Sequence, residues 1–370
     1  MKITKINLVN FRNYSNCSIS FHDHLNIIVG NNAQGKTNII EGITLLALTK
    51  SYRVGTHPNM IMFGKSKCKV KGIIKKDKII SKLEVQLTDD NKDLILNQNH
   101  ITKVSDYISN LNVIIFTPED LEIIKGSPSI RRNLLNMELS QMSRKYLKIY
   151  NEYNKLLKTR NEYLKILFQN SIADQTYLDI ITDKLIEKAI FIYQERKRFL
   201  DQINQNIDNY FYKIFGDRGL MIEYLPNIDL DNYEDEVIRK KMKHIFKKNY
   251  MKELNYGMTL YGPHRDDFLF KYQNQDLKYS GSQGQQRLAV ICFKIAEIPI
   301  FKENSQYYPV LLLDDIFSEL DIKKRNKLLK LITNNDVQCI LTTTDIKNIS
   351  KSYIEKSFVF NVINGTVERK

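Results

Sequence analysis

The sequence predicts an α/β fold, a mixed sheet around a phosphate-loop helix, with a second, helical lobe set into it. Three observations carry this prediction. An apolar strand, "LNIIV", runs into the loop "GNNAQGKT" and straight on into a helical pattern. Two further apolar runs, "PVLLLDDIF" and "VQCILTTT", lie near the other end of the chain and have the texture of strands buried on both faces. Between these parts no proline occurs from Pro128 to Pro226, and apolar residues step by threes and fours.

The elements follow in order. "ITKINLVNF" alternates as a half-buried strand does, and "HLNIIVG" is a short apolar strand ending in glycine. "NIIEGITLLAL" has helical spacing. "CKVKGIIKK", "KIISKLEVQL" and "DLILNQNHI" read as a meander of strands, and "NVIIFTPEDL" as an apolar strand stopped by Pro118. Leu139, Met142, Tyr146, Ile149, Tyr153 and Leu156, continued by Tyr163 and Leu167, form one helical series. Leu178, Ile181, Leu185, Ala189, Ile192, Phe199 and Ile203 form a second. The short break "QNSIADQ" between them predicts a stubby antiparallel hairpin. From about Tyr256 the α/β texture returns with "MTLYGPHRDDFLF", the helix "GQQRLAVICFKIAEI", and the strands around "DIKKRNKLLKLI". The expected division is an α/β head over 1–120 and 256–370, with a helical lobe over 121–255.

Composition bounds the function. The chain has 370 residues, 42% apolar and 26% charged, as soluble globular proteins do. Its net charge of +14 points to nucleic acid or an anionic surface. Only 14 of the 56 basic residues are Arg, a lysine-rich bias that genome composition also produces. Cys17, Cys68, Cys292 and Cys339 form no metal or disulfide pattern, which fits a reducing compartment. No stretch approaches the ~18 apolar residues of a membrane span, so a cytoplasmic protein is expected.

The chemistry lies in two motifs. "GNNAQGKT" over residues 30–37 fits the phosphate-loop pattern in its required strand-loop-helix context. Gly30 and Gly35 let the backbone wrap phosphates, Lys36 brings a mobile charge, and the Thr37 hydroxyl suits Mg²⁺. Asn31, Asn32, Ala33, Gln34 and Asn38 complete the loop's contacts with ATP. "VLLLDDIFSELD" supplies the carboxylates: Asp314 to hold Mg²⁺ and Asp315 to orient or deprotonate the attacking water. A third stretch, "SGSQGQQR", opens onto a helix but carries no lysine. "GPHRDD" is read as a tight turn held by Arg265 pairing rather than as a metal pair.

The order of a phosphate loop, a Ser-x-Gly-Gln loop and an "LLLDD" strand resembles the ABC-type ATPases. "INLVNFRNY", "SYR", "FTPEDLEIIKGSPSIRRNLL", "YGPHRDDF", "GSQGQQR" and "LLLDDIFSELD" together resemble the bacterial RecF family, DNA-repair relatives of the SMC-type ATPases, over nearly the whole chain. The resemblance implies an ABC-type ATPase head that ATP joins to a second copy as a head-to-head homodimer. Ser282, Gly284 and Gln285 of one copy would then cap the γ-phosphate held by the other, and "SELD" would cross between the two sites. It also implies DNA binding at gaps, RecO and RecR as partners, help in loading RecA, and weak ATP hydrolysis. Arg12, in "NFRNY", would lie near the nucleotide.

Departures from that pattern are informative. Thr117 stands where SMC-type heads carry the glutamine of their Q-loop, with Glu119 or Asp120 as substitutes. Thr343 and Thr344 stand where transporter ATPases carry a histidine. Asp315 replaces the usual glutamate, and its shorter reach predicts slow turnover. DNA contact is assigned to Lys65, Lys67 and Lys69 on a lysine-alternating strand, and to Lys240, Lys241, Lys247 and Lys248 in "RKKMKHIFKKNYMK". Two other readings stay open: an ABC-type ATPase subunit driving a non-DNA machine, and a nucleic-acid-binding module with a degenerate ATP site. The long helical insertion and the basic patches count against the first. Intact Lys36, Thr37 and Asp314 count against the second.

Overall fold

The computed structural model describes residues 1–53, 57–169, 174–333 and 336–370, without the side chains of His57, Pro58, Ser318, Glu319 and Asn348. The break "QNSIADQ" therefore falls largely outside the described residues, as do the side chains of Ser318 and Glu319 in "SELD". The chain forms two compact units. The first holds residues 1–121, 207–218 and 287–370; the second holds 122–206 and 219–286.

This division differs from the expected one in two places, each for a pairing reason. The strand Asp267–Tyr272 pairs antiparallel with Leu220–Leu225, so the returning chain stays with the helical unit as far as residue 286. Conversely the helix Ile207–Phe215 packs on Ile322–Thr333 in the first unit, where Lys327 Nζ donates to the Ile214 carbonyl at 3.1 Å.

Unit 1 contains two six-stranded sheets. One is an antiparallel meander in the order Tyr14–Ser20, Lys2–Phe11, Lys67–Lys76, Ile79–Thr88, Lys92–Leu96, Asn99–Ile101. The other runs Thr366–Arg369, Ser357–Ile363, Leu25–Val29, Cys339–Thr343, Val310–Leu313, Val113–Phe116, parallel except for the terminal hairpin. The predicted apolar runs Val310–Leu313 and Cys339–Thr343 are buried at every position, as central parallel strands are, and so is Val113–Phe116 at the sheet's edge. The helix Lys36–Leu48 touches strands of both sheets and is buried almost all round. Gly42 makes that approach possible: a Cβ there would lie 2.8 Å from Leu8 Cδ2.

Unit 2 is built on the helices Pro128–Met142, Arg144–Gln169 and Gln175–Asn204. The first apolar series thus spans two helices, which part at Ser143, whose extended backbone ends the first. The last helix begins with Asp174, whose carboxylate accepts the Thr176 N–H at 2.8 Å, a favoured N-cap arrangement. Buried ion pairs hold the unit together. Arg160 donates to Glu253 (2.7 Å), Thr182 (2.9 Å) and Thr259 (2.7 Å). Removing one partner from such a pair costs about 3–5 kcal/mol, because the other charge stays buried.

The "GPHRDD" turn is held by partners other than Arg265. Asp266 accepts from Arg196 at 2.8 Å, from the Asn227 N–H at 2.9 Å, and from Tyr224. Asp267 is clamped by both arms of Arg131, at 2.6 and 2.8 Å. Arg265 instead reaches the Met258 sulfur at 3.5 Å. Among the described residues no helix is long and apolar enough to cross a membrane, and no cluster of His, Cys, Asp and Glu is arranged to hold a metal ion. All four cysteines are free and buried.

Candidate nucleotide site

The loop over residues 30–35 leaves the strand Leu25–Val29 and opens the helix Lys36–Leu48. Its glycines are required by what surrounds them. A Cβ at Gly30 would meet the Val362 carbonyl oxygen at 2.5 Å. Gly35 has φ +117°, and a Cβ there would lie 2.7 Å from Asn13 Nδ2. The loop is braced from two sides. Asn13 donates to the Gln34 carbonyl at 3.0 Å, and Tyr14 to the Gly35 carbonyl at 3.1 Å. From the terminal hairpin, the Asn364 N–H meets Gln34 Oε1 at 2.6 Å.

Lys36 is buried, and its ammonium donates to the carbonyls of Gly30 (2.7 Å) and Asn31 (2.8 Å). Burial pulls its pKa down, and the carboxylates of Asp315 and Asp314 pull it back up. Asn32, Ala33, Gly35, Lys36, Thr37, Asn38, Arg53, Asp314 and Asp315 line a cleft of about 330 Å³.

Asp314 stands at the end of Val310–Leu313 and is buried. It accepts hydroxyl bonds from Thr342 (2.8 Å), Thr37 (3.1 Å) and Tyr52 (3.1 Å). Burial raises its pKa, and these donors oppose the rise. Asp315 takes a left-handed backbone, φ 49°, and its N–H donates to Thr342 Oγ1 at 2.9 Å. Hard oxygen donors thus converge beside a loop whose N–H groups and lysine suit phosphate. Thr37 and Asp314, in contact, are a donor set that fits Mg²⁺.

Other expected residues are placed differently. Arg12 does not line the cleft. Its guanidinium forms a two-armed pair with the buried Glu41, at 2.7 and 2.9 Å, and donates to the Asn59 carbonyl. Arg53 lines the cleft instead, 3.3 Å from Asn38 Oδ1. Thr117 is bound through both its N–H (2.8 Å) and its hydroxyl (3.1 Å) to Asp120. Asp120 is itself paired with the buried Lys294, so neither reaches the cleft lining. Thr343 is buried with its hydroxyl on the Asp345 carbonyl, whereas Thr344 is exposed.

Ser282, Gly284 and Gln285 belong to unit 2, at the start of the helix Gln283–Ser305. The Ser282 N–H donates to Gln285 Oε1 at 2.8 Å, and the Gln285 N–H returns to Ser282 Oγ at 3.3 Å. This reciprocal pair is a capping box. Ser282 and Gly284 are exposed, and a Cβ at Gly284 would meet nothing within 4 Å.

The model of the RecF/RecN/SMC N-terminal domain matches residues 2–366 of this chain. The DNA replication and repair protein RecF of Pediococcus pentosaceus is 38% identical over 99% of the chain and 98% of its own length. That of Listeria monocytogenes is 39% identical over the full length of both. The chain belongs to the RecF family. Among solved structures, the recombination mediator protein RecF with ATP, of the RecFOR pathway, superimposes with a TM-score of 0.91 at 31% identity, covering 100% of this chain and 97% of that one. An SMC head bound to the C-terminal winged-helix domain of ScpA shares the fold, with a TM-score of 0.58 at 16% identity over 100% of this chain and 97% of that one.

Within this RecF-family chain the lysine groups fare unequally. Along Lys67–Lys76 the burial alternates, so Lys67, Lys69 and Lys71 share the outer face of the sheet, and Lys65 is exposed just before them. Lys71 is paired with Glu84 at 3.0 Å. On the helix Asp235–Lys248, Ile238, Met242 and Phe246 face inward, which leaves Lys240, Lys247 and Lys248 exposed. Lys241 is paired with Asp231 at 3.1 Å and is the least available of that group.

Sequence reasoning gives no role to Arg53, which lines the cleft, or to Tyr52 and Thr342, which hold Asp314. Tyr52 and Arg53 sit in "SYR", quoted for its resemblance but given no role. Thr342 reads in sequence as one more residue of a buried strand, and only the parallel register with Val310–Leu313 puts it beside Asp314.

Proposed function

We propose that this chain is an ATP-gated DNA-binding protein of recombinational repair, in which ATP joins two heads around the nucleotide and slow hydrolysis separates them. Lys36 and the loop over residues 30–35 hold the phosphates, with Arg53 at the rim. Thr37 and Asp314 would hold Mg²⁺, which would offset phosphate charge. Asp315 orients the attacking water. The single observation that carries the reading is the cleft: a glycine-forced phosphate loop whose lysine and two carboxylates close on one space.

Capping in trans is supported by the Ser282 loop. Its glycine answers no neighbour among the described residues, and its serine and helix start are exposed. Membership of the RecF family extends the reading to gapped DNA, to RecO and RecR as partners, and to help in loading RecA. The lysines Lys65, Lys67, Lys69, Lys240, Lys247 and Lys248, which have no ion pair among the described residues, suit phosphate contact without sequence readout.

Two measurements test this. In sedimentation with Mg-ATP, Ser282→Arg is expected to stay monomeric while binding ATP as the parent does. Unchanged dimers would defeat capping in trans. In fluorescence anisotropy with gapped DNA, tight binding is expected with ATP but with neither ADP nor the Lys36→Met variant. Binding that ignores nucleotide would mean that positive charge acts by itself and that the paired heads drive another machine.

A further inference from the structure

We propose that Phe63 is a stacking element that packs on an unpaired DNA base at the border of the lysine-bearing sheet face, an inference that rests on the DNA-binding reading above. The Phe63 side chain is fully exposed, at 102% of its reference area. A bulky apolar ring in water is informative when the backbone beneath it is held, and here it is held firmly. The Arg12 N–H donates to the Met60 carbonyl at 2.9 Å, and the Met62 N–H to the Asn10 carbonyl at 2.8 Å. Phe11 and Ile61 form a β-bridge between these bonds, and the Arg12 side chain adds the Asn59 carbonyl. Met60 and Ile61 are buried. The turn then closes with the Lys65 N–H on the Met62 carbonyl at 3.0 Å, through Gly64 at φ +76°. Phe63 therefore stands on a tight turn anchored to the strand Lys2–Phe11, and the exposure of its ring does not come from a slack loop.

The surroundings select the ligand. The chain passes from the turn directly into Lys67–Lys76, and Lys65, Lys67 and Lys69 have no ion pair among the described contacts. Exposed Asp89 and Asp90, which follow the Lys67 partner Thr88, bound this basic ground on one side. The other exposed apolar residues of the same hairpin, Ile79 and Ile80, lie at its far end, opposite Lys76 and Lys75. Among the described residues Phe63 is thus an exposed ring close in sequence to Lys65 and Lys67 and set apart from Ile79 and Ile80, which suits the π-face of a base better than a protein partner. Phenylalanine offers no hydrogen bond for base-edge readout, so the contact is sequence-tolerant. Bases inside a duplex are already stacked, so the accessible face belongs to an unpaired base, as at a gap.

The test uses the full chain with Mg-ATP and gapped DNA carrying 2-aminopurine at unpaired positions beside the duplex border. The parent protein is expected to bind and to change the probe's fluorescence. Phe63→Ala should bind about tenfold more weakly and leave the fluorescence unchanged, and Phe63→Trp should restore both. ATP binding should be the same in all three. Equal affinity and an equal fluorescence change with Phe63→Ala would overturn the stacking role while leaving the DNA-binding reading intact. Failure of the parent protein to bind DNA at all would overturn both.

Discussion

Two loops of this chain open helices and carry glycine beside polar side chains, yet they are built in opposite ways. In the loop over residues 30–35, Lys36 is buried with its ammonium on two backbone carbonyls, and Asp314 next to it takes three hydroxyl bonds. Its glycines are compelled by neighbours 2.5 and 2.7 Å from where a Cβ would sit. The Ser282 loop is exposed, its polar groups close only on each other, and Gly284 faces open space. A glycine that the fold needs reports on the fold. A glycine that the fold does not need directs attention outside the chain, and in the proposed function the second copy supplies what is missing.

The sharpest way to break this comparison is to place alanine in both loops. Gly35→Ala is expected to cost about 2–4 kcal/mol, from backbone strain together with overpacking, and to abolish ATP binding. Gly284→Ala should leave stability unchanged or raise it by up to about 1 kcal/mol, since alanine favours helix. It should keep ATP binding but lose ATP-dependent dimers. Urea unfolding, titration with a fluorescent ATP analogue and sedimentation read the three effects. Equal destabilisation by both substitutions would erase the distinction.

The phosphate-loop half was legible because its chemistry is local. A strand, a loop and a helix contiguous in sequence declare both the element and its ligand, and "VLLLDD" does the same for the carboxylates. The sequence is silent where partners meet only through the fold. It places Arg12 near the nucleotide, and nothing in it signals that Glu41 lies beside Arg12. Arg265 looked like the clasp of its turn because Arg131 and Arg196 lie far off in sequence. The compact units divide at other residues than the sequence suggests for the same reason: pairing of Leu220–Leu225 with Asp267–Tyr272 joins segments that local periodicity cannot relate. Phe63 carries no periodic signal at all, and only its full exposure on an anchored turn singles it out.

The unit that carries the Ser282 loop should also respond to acid in a way the cleft loop does not. His264 is partly buried just before the strand Asp267–Tyr272 that leads toward that loop, with Tyr153 OH at 2.6 Å and the Thr259 carbonyl at 3.1 Å. Burial pushes its pKa down to about 4, and Arg265, Arg132 and Arg196 press in the same direction. The imidazole is therefore neutral in the folded chain, while the unfolded chain takes up a proton below about pH 6.5. The unfolded state then binds more protons, so this contribution to stability is present above pH 6.5 and is lost as pH falls toward 4. Urea unfolding at pH 7 and pH 5 should differ by about 2 kcal/mol on this account, and His264→Asn should flatten the difference. An unchanged slope in His264→Asn would place the acid response elsewhere.

The smallest expected effect separates binding from hydrolysis within the cleft itself. Thr342 touches both residues of the carboxylate pair: its hydroxyl donates to Asp314 Oδ1 at 2.8 Å and accepts the Asp315 N–H at 2.9 Å. The bond to Thr342 thus helps hold Asp315 in its left-handed backbone at φ 49°, a conformation that a β-carbon resists. Thr342→Val keeps the shape and removes both bonds, leaving the Asp315 N–H without its partner. ATP affinity should stay within about threefold, because Lys36 and the loop backbone are untouched, while single-turnover hydrolysis should slow by about tenfold, equivalent to 1.4 kcal/mol. Thr342→Ser should recover most of the rate. A loss of affinity as large as the loss of rate would mean that the carboxylates act mainly in holding the nucleotide, and that Asp315 is not the group whose position sets the slow clock.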